Sequence, residues 1–139
     1  MSKDEFRTLR NLYAAIQSQN AVELRGALSH DVELDLPATL PWGGVRHGVD
    51  GIETVLEIFL EHVEGSWADV DELLDAGDRI VVLGRARGRA RTSGSEFEVP
   101  FAHVWGMADG VPAWCRGYLD TGPILAALDG RASDSKLDR

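Results

Sequence analysis

Cysteine is almost absent from this sequence, since Cys115 is the only one among 139 residues. A single cysteine excludes an internal disulfide and any metal site that needs several thiolates. The four histidines are scattered without ligand-like spacing, so we expect no metal ion. Nothing near Cys115 marks it as a nucleophile, and we interpret it as a packed strand thiol.

Long hydrophobic runs are also missing. No apolar stretch approaches the length of a membrane span, and the first residues, Met-Ser-Lys-Asp-Glu-Phe, lack the apolar segment of a signal peptide. We therefore expect a cytoplasmic protein that does not associate with a membrane. The balance of 44% hydrophobic and 27% charged residues fits one globular domain.

Basic residues are outnumbered by acidic ones, 14 to 23, and the net charge is −9. A nucleic-acid-binding protein should carry a broad basic surface, so this balance argues against nucleic acid as a partner. The exception is one predicted strand, in which Arg85, Arg87, Arg89 and Arg91 alternate with small residues. Side chains on a strand point alternately to its two faces, so the four arginines share one face.

The other face of that strand carries almost no side-chain volume. It consists of Gly84, Ala86, Gly88 and Ala90. Glycine and alanine weaken a strand, and a run of them usually marks close approach by a neighbour or unfilled space. The small face therefore predicts either a covering helix or the floor of a cavity, and a cavity suggests a small-molecule site.

Hydrophobic periodicity predicts helices first and a sheet afterwards. The predicted elements are helices at 3–18 and 21–28, a strand at 32–36, a loop at 37–48, a helix at 49–62, and strands at 67–74, 79–91, 97–107 and 113–121. This order is that of an α+β fold. We expect a single domain over residues 1–129 and a flexible polar tail at 130–139.

The turn between the second and third strands of the final meander sets which residues oppose each other. A loop at residues 92–95 places Arg91 opposite Glu96 and Gly84 opposite His103. The cavity face of the third strand then consists of Val99, Phe101, His103 and Trp105.

The last strand has two possible registers, because a slip of one residue reverses its faces. A two-residue turn at Asp109–Gly110 would point Trp114, Arg116, Tyr118 and Asp120 inward. A three-residue loop that includes Ala108 would point Cys115, Gly117 and Leu119 inward instead. The residues alone leave both registers open, and the resemblance of the chain to a known family favours the second register.

The order of elements resembles a known family. The most specific pieces are Gly48 and Gly51–Glu53 at the start of the third helix, the turn Thr92–Gly94, and Asp109–Gly110 followed by Asp120. Over residues 5–128 the chain resembles the nuclear transport factor 2-like superfamily, and more narrowly its SnoaL-like group. The resemblance implies a cystatin-like curved antiparallel sheet wrapped around N-terminal helices, a cone-shaped hydrophobic pocket, and homodimers formed through the sheet face.

The SnoaL-like group includes polyketide cyclases, ketosteroid isomerases and limonene epoxide hydrolase. Tyr13 matches the tyrosine of the isomerases and His103 matches the histidine of the cyclases, so the resemblance makes these two the candidate catalytic residues. The family acids are missing, because Leu36, Ala102 and Gly117 occupy their positions. The alternative for His103 is a buried histidine held by a backbone carbonyl or by Tyr13, and for Tyr13 it is a core residue.

We therefore expect a protein that binds a small hydrophobic cyclic metabolite. If it is an enzyme, it is a cofactor-free isomerase, cyclase or hydrolase that uses His103. The alternative is a non-catalytic ligand-binding or dimerisation domain. Trp42 lies in a loop rich in proline and glycine, where we expect the mouth of the cone. The residues expected to contact the ligand are Leu36, Trp42, Phe59, Val63, Trp67, Ala86, Val99, Phe101, Trp105, Gly117 and Leu119.

Overall fold

The computed structural model describes residues 2–130 and contains, within them, four helices and six strands. In chain order they are α1 (Ser2–Ser18), α2 (Ala21–Ala27), β1 (Glu33–Leu36), β2 (Gly44–His47), α3 (Gly48–His62), β3 (Val63–Asp75), β4 (Arg79–Ala90), β5 (Glu96–Ala108), β6 (Val111–Leu119) and α4 (Gly122–Leu128). This order confirms the α+β class. Apart from Gly130, the tail predicted at 130–139 lies outside the described residues.

The helices form because their apolar residues recur at helical spacing. In α1, Leu9 and Leu12 are completely buried one turn apart, and Tyr13 lies beside them at 4% exposure. The helix ends before Gln19, which adopts a positive φ of 58°. α2 then starts at an asparagine cap, whose side chain accepts a hydrogen bond from the third residue after it at 3.2 Å. α3 turns a similar apolar stripe towards the core.

The strands form one curved sheet in the order β2-β1-β6-β5-β4-β3, antiparallel except between β1 and β6. Two register shifts bend β3, one between Ser66 and Asp69 and one between Val70 and Glu72. α1 and α3 both pack against β3. The face that packs on these helices is the inner face, and the opposite, arginine-bearing face is the outer face.

The pairing of β4 with β5 differs from the prediction by two residues, and Gly84 faces Phe101 instead of His103. The chain reverses over residues 91–94, not 92–95, because the N–H of Ala90, the last residue of β4, donates to the carbonyl of Ser95 at 2.8 Å. The last of these four residues is a glycine with a φ of 74°, which allows the reversal. A shift of two residues preserves the faces, so His103 still lies on the inner face.

The same shift changes the ion pairs on the outer face. Glu96 pairs with Arg89 at 3.0 Å and not with Arg91, so the predicted pair is wrong. Glu98 pairs with Arg85 at 3.1 Å. Exposed pairs of this kind contribute at most about 1 kcal/mol each. They therefore neutralise the arginine stripe more than they stabilise the fold.

The last strand follows the second predicted register, although its turn is the one expected for the first. Ala108 pairs with Val111, so Asp109–Gly110 form a two-residue turn in which both residues have positive φ. The register shifts by one residue between the pairs Gly106–Trp114 and Met107–Pro112, which leaves Ala113 without an opposite residue. This bulge turns the residues that follow it to the face expected for the three-residue loop. The residues that point inward are Cys115, Gly117 and Leu119, while Arg116 and Tyr118 are exposed.

Two short elements are absent from the sequence-based prediction. β2 lies inside the predicted loop at 37–48, and its four residues pair with β1 through the backbone. α4 has a proline in its first turn, buries Ile124 and Ala127, and packs against β5. Both are too short to show a clear period in the sequence. None of the helices in the described part of the chain is long and apolar enough to cross a membrane.

Candidate functional site

Hydrogen bonds join three buried aromatic side chains from α1 and β5. Nε1 of Trp105 donates to the hydroxyl oxygen of Tyr13 at 2.8 Å. The same hydroxyl lies 2.6 Å from Nδ1 of His103. Tyr13 belongs to the buried stripe of α1, and strand alternation puts His103 and Trp105 together on the inner face of β5. The structure therefore brings the two candidate catalytic residues into direct contact.

Other aromatic rings stack on the imidazole of His103. The ring centroid of Phe101 lies 4.0 Å from it and that of Trp67 lies 5.1 Å from it. Burial away from water lowers the pKa of His103 from 6.5 to about 3, and it raises the pKa of Tyr13. Both side chains are therefore neutral near pH 7. Within residues 2–130, neither of them hydrogen-bonds to a carboxylate.

A small cavity of about 20 Å³, enough for one water molecule, lies beside His103; we call it the His103 cavity. The expected ligand-contacting residues that line it are Leu36, Trp42, Phe59, Trp67, Ala86, Phe101 and Leu119. Leu40 and Ile124 also line it, and the sequence did not indicate them because one lies in an irregular loop and the other on the unpredicted α4. Of the other predicted site residues, Tyr13, Val63, Val99 and Trp105 do not line it and pack in the core instead. Gly117 does not line it either.

Gly117 lies against the edge of the imidazole that carries Nε2. A Cβ atom at this position would lie 3.6 Å from Nε2 of His103 but only 2.6 Å from Cδ2 of Leu36. A larger residue would therefore require the end of the Leu36 side chain to shift. The aspartate that the resemblance expects at Gly117 is missing, and Leu36 packs against this position.

The two other positions matched to family acids lie on different faces of the sheet. Leu36 is 5% exposed and forms part of the wall of the His103 cavity. Ala102 faces outward opposite Tyr118, because it alternates with the inward-facing Phe101 and His103. The match of Ala102 to a pocket acid is therefore wrong. In the described part of the chain, no group of three or more His, Cys, Asp or Glu residues could hold a metal ion.

Trp42 does not lie at an open mouth. Its side chain is 2% exposed and packs edge-to-face on Phe59, with ring centroids 5.1 Å apart. The loop that carries it folds inward, with Leu40 also buried. The expectation that this loop forms the mouth of the cone is therefore wrong.

A second pocket, of about 110 Å³, lies among α1, α3 and β3; we call it the α1–α3 pocket. Phe59 and Trp67 line both this pocket and the His103 cavity. These two side chains therefore form the partition between the two spaces. The remaining wall of the α1–α3 pocket consists of Ile16, Gln17, Gln19, Leu56, Leu60, Gly65, Ser66 and Ala68.

A bulge in β3 places Trp67 in this partition. Trp67 and Ala68 together oppose a single residue of β4. Oδ1 of the next residue, Asp69, accepts hydrogen bonds from Ser66 Oγ at 2.6 Å and from Gln17 Nε2 at 3.0 Å. Its other oxygen forms an ion pair with an arginine of β4. One carboxylate thus ties the bulge to α1 and to the neighbouring strand, which the sequence pattern of alternating residues did not indicate.

An open groove of about 1160 Å³, larger than the His103 cavity and the α1–α3 pocket, lies at another end of the sheet. It is lined by charged residues of β4 and β5, including Arg89 and Glu96, and by residues of α4 such as Pro123. It contacts neither Tyr13 nor His103. Arg89 and Glu96 in its wall pair with each other, and the groove is open and charged, so the buried aromatic cluster is the candidate site.

Sequence and structure both relate the chain to known proteins. Residues 9–113 match the SnoaL-like domain, so the chain belongs to the SnoaL-like family. No curated protein matches the sequence. A nuclear transport factor 2-like protein of unknown function from Burkholderia pseudomallei is 27% identical with a TM-score of 0.80, over 90% of this chain and 97% of that one.

Two further structures are similar. A nuclear transport factor 2-like protein from Burkholderia thailandensis is 26% identical with a TM-score of 0.82, over 89% of this chain and 96% of that one. TerC, co-crystallised with polyporic acid, is 22% identical with a TM-score of 0.81, over 91% of this chain and 98% of that one. The curved sheet and its N-terminal helices are therefore those of the nuclear transport factor 2-like fold.

Proposed function

We propose that this protein binds a small hydrophobic cyclic metabolite against His103, inside the curved sheet. One observation carries the proposal: the buried imidazole is held at Nδ1 by Tyr13, while Nε2 has no hydrogen-bond partner among residues 2–130 and its edge faces the small residue Gly117. Nε2 is not among the fully buried unpaired polar atoms of the described residues, so it is open to a water or a ligand that would satisfy it. Apolar walls with one or two polar groups are typical of small-molecule sites.

The size of the His103 cavity requires a side chain to move when a ring binds. About 20 Å³ holds one water, whereas the adjacent α1–α3 pocket offers about 110 Å³. Trp67 is partly exposed and stands between the two spaces. Displacement of its indole would join them into one site that extends from the surface to His103.

Binding of 1-indanone, a small bicyclic ketone, tests this route. We expect Trp67→Leu to bind 1-indanone about tenfold more tightly than the unmodified protein, because the partition no longer has to be displaced first. Affinity is measured from amide chemical-shift changes in a titration. Trp114→Leu, which removes an indole from the outer face, is the matched control and should leave the affinity unchanged. Equal affinity in Trp67→Leu and Trp114→Leu would count against the route.

The second candidate is a cofactor-free isomerase or cyclase, favoured by the direct contact between Tyr13 and His103. His103 could polarise a carbonyl group through Nε2, but a base to remove a carbon-bound proton is absent from the described contacts of the site. The same probe separates the two functions, since an enzyme of this kind would exchange the α-protons of 1-indanone in heavy water. Exchange that is lost in His103→Ala, with the fold retained, would favour the enzyme.

We also propose that the protein forms a homodimer through the outer face of the sheet. This face exposes Tyr118 at 57% and Leu74 at 42%. The guanidinium groups of Arg79 and Arg116 lie over the ring of Trp114, with their central carbons 5.3 and 5.5 Å from the ring centroid. Aromatic residues and arginine are enriched at protein interfaces.

Sedimentation equilibrium tests the dimer. We expect a dimer for the unmodified chain and a shift towards monomer for Tyr118→Glu, because a charge would be desolvated at the interface. Val22→Glu is the control, since Val22 is 82% exposed on α2, away from the sheet. A monomeric unmodified protein, or an equal effect of both variants, would contradict the proposed interface.

A further inference from the structure

The hydrogens in the buried aromatic cluster can be assigned by counting donors and acceptors. The indole N–H of Trp105 can only donate, so the hydroxyl oxygen of Tyr13 accepts from it at 2.8 Å. The hydroxyl hydrogen of Tyr13 then needs an acceptor of its own. Within residues 2–130, its remaining hydrogen-bond partner is Nδ1 of His103, at 2.6 Å.

The two neutral forms of His103 differ in how well they satisfy this arrangement. With the proton on Nε2, Nδ1 accepts from Tyr13, and the N–H at Nε2 is the one polar group of the three side chains left without a partner among the described residues. With the proton on Nδ1, His103 would donate to an oxygen that already accepts from Trp105, and both the hydroxyl hydrogen of Tyr13 and the lone pair at Nε2 would lack a partner. Buried polar groups are almost always paired, so the first form, which leaves fewer of them open, is favoured.

We propose that Tyr13 and Trp105 fix His103 as a hydrogen-bond donor at Nε2, so that the site selects uncharged ligands with an acceptor oxygen, such as ketones, quinones or esters. The proposal rests on the proposed function and deepens it by naming the class of ligand. Tyr13 and Trp105 act here as positioning residues, since they reach the ligand only through His103.

The surroundings of the imidazole explain why the acceptor should be uncharged. Apart from His103 and the indoles of Trp42 and Trp67, whose N–H groups can only donate, the side chains that line the His103 cavity are apolar. An anion would lose its hydration there without gaining a counter-charge. An amine or another pure donor would meet the N–H of His103 and find no acceptor. A carbonyl oxygen accepts that hydrogen and leaves the rest of the ligand to apolar contact.

Nitrogen NMR of uniformly labelled protein at pH 7 tests the assignment without any ligand. We expect a pyridine-type shift for Nδ1 of His103 and a pyrrole-type shift for Nε2. Tyr13→Phe removes the donor to Nδ1, so its spectrum should move towards a mixture of the two neutral forms. Tyr118→Phe, which removes an exposed hydroxyl on the outer face, should leave both shifts unchanged. A pyrrole-type Nδ1 in the unmodified protein overturns the proposal, whether or not Tyr13→Phe folds.

A series of matched indane compounds tests the ligand class, in the Trp67→Leu variant where access is open. We expect 1-indanone to bind about tenfold more tightly than indane, which lacks the oxygen, and to shift the Nε2 signal. 1-Aminoindane and indane-1-carboxylate should bind more weakly than 1-indanone. Equal binding of indane, or preferred binding of the amine or carboxylate, overturns the proposed class. If none of the four binds, the proposed function fails together with the ligand class, and the nitrogen shifts alone decide the role of Tyr13.

Discussion

Replacement of Tyr13 by phenylalanine should lower the free energy of unfolding by roughly 2–4 kcal/mol. The hydroxyl of Tyr13 serves two buried partners, since it accepts from Trp105 and contacts Nδ1 of His103. Phenylalanine keeps the ring and its packing but leaves both polar groups buried and unpaired. The cost of one unsatisfied buried group is about 1–3 kcal/mol, so the loss exceeds that of an ordinary hydroxyl removal. Urea unfolding at pH 7 measures it.

The same chemical change at Tyr118 provides the control. Tyr118 is 57% exposed, and its hydroxyl forms none of the hydrogen bonds seen in the described structure. Tyr118→Phe should therefore change the free energy of unfolding by less than about 0.5 kcal/mol. Because Tyr118 lies on the proposed dimer face, both variants are compared at one protein concentration and the dimer fraction of each is measured by sedimentation. Similar values for the two variants would show that the Tyr13 hydroxyl is not satisfied as the structure indicates.

The sequence predicted the faces of the sheet better than its registers. His103 was expected opposite Gly84, and it lies on the expected face although Gly84 opposes Phe101. The reason is that the side-chain period is two, so an error of two residues in the loop keeps every residue on its side. Hydrophobic alternation constrains the face, whereas loop hydrogen bonds constrain the register, and the sequence shows only the first directly.

The last strand shows how two local features can offset each other. The turn at Asp109–Gly110 has two residues, and by itself it would point Arg116 inward. The bulge at Ala113 restores the opposite orientation and puts Gly117 beside His103. A bulge depends on how the neighbouring strand curves, and the proline directly before Ala113, Pro112, is compatible with a bulge or with a strand end and does not decide between them. The family resemblance favoured the right face where reasoning from the turn did not.

The candidate site was only partly predictable for a related reason. The periodicity of α1 put Tyr13 on a buried face, and alternation put His103 on the inner face of β5, but their contact depends on how the helix crosses the sheet. The same crossing brings Gln17 to Asp69 and so holds the bulge that carries Trp67. Such contacts join residues far apart in sequence, and no local pattern encodes them.

Acidification should destabilise the fold through His103. Burial lowers its folded-state pKa to about 3, whereas the unfolded chain titrates near the ordinary value of 6.5. Between these two values the unfolded state binds a proton that the folded state does not. The contribution of His103 to the free energy of unfolding is therefore fully present above pH 6.5. It declines as the pH falls towards 3, by roughly 4–5 kcal/mol in total. Urea unfolding from pH 8 to the lowest pH at which the protein stays folded measures the slope.

His103→Gln isolates this contribution, because glutamine does not titrate and can still accept a hydrogen bond from Tyr13. All other side chains are the same in both proteins, so their effects cancel when the two stability curves are subtracted. The free energy of unfolding of the unmodified protein minus that of the glutamine variant should be constant from pH 8 to about 6.5. It should then decrease as the pH falls further, because only the unmodified protein loses the contribution of His103. Parallel curves across the whole range would mean that His103 is hydrated in the folded protein. Protonation would place a hydrogen on Nδ1 and remove the acceptor for the Tyr13 hydroxyl, so the pH range over which His103 resists protonation is also the range over which the buried aromatic cluster keeps its hydrogen bonds.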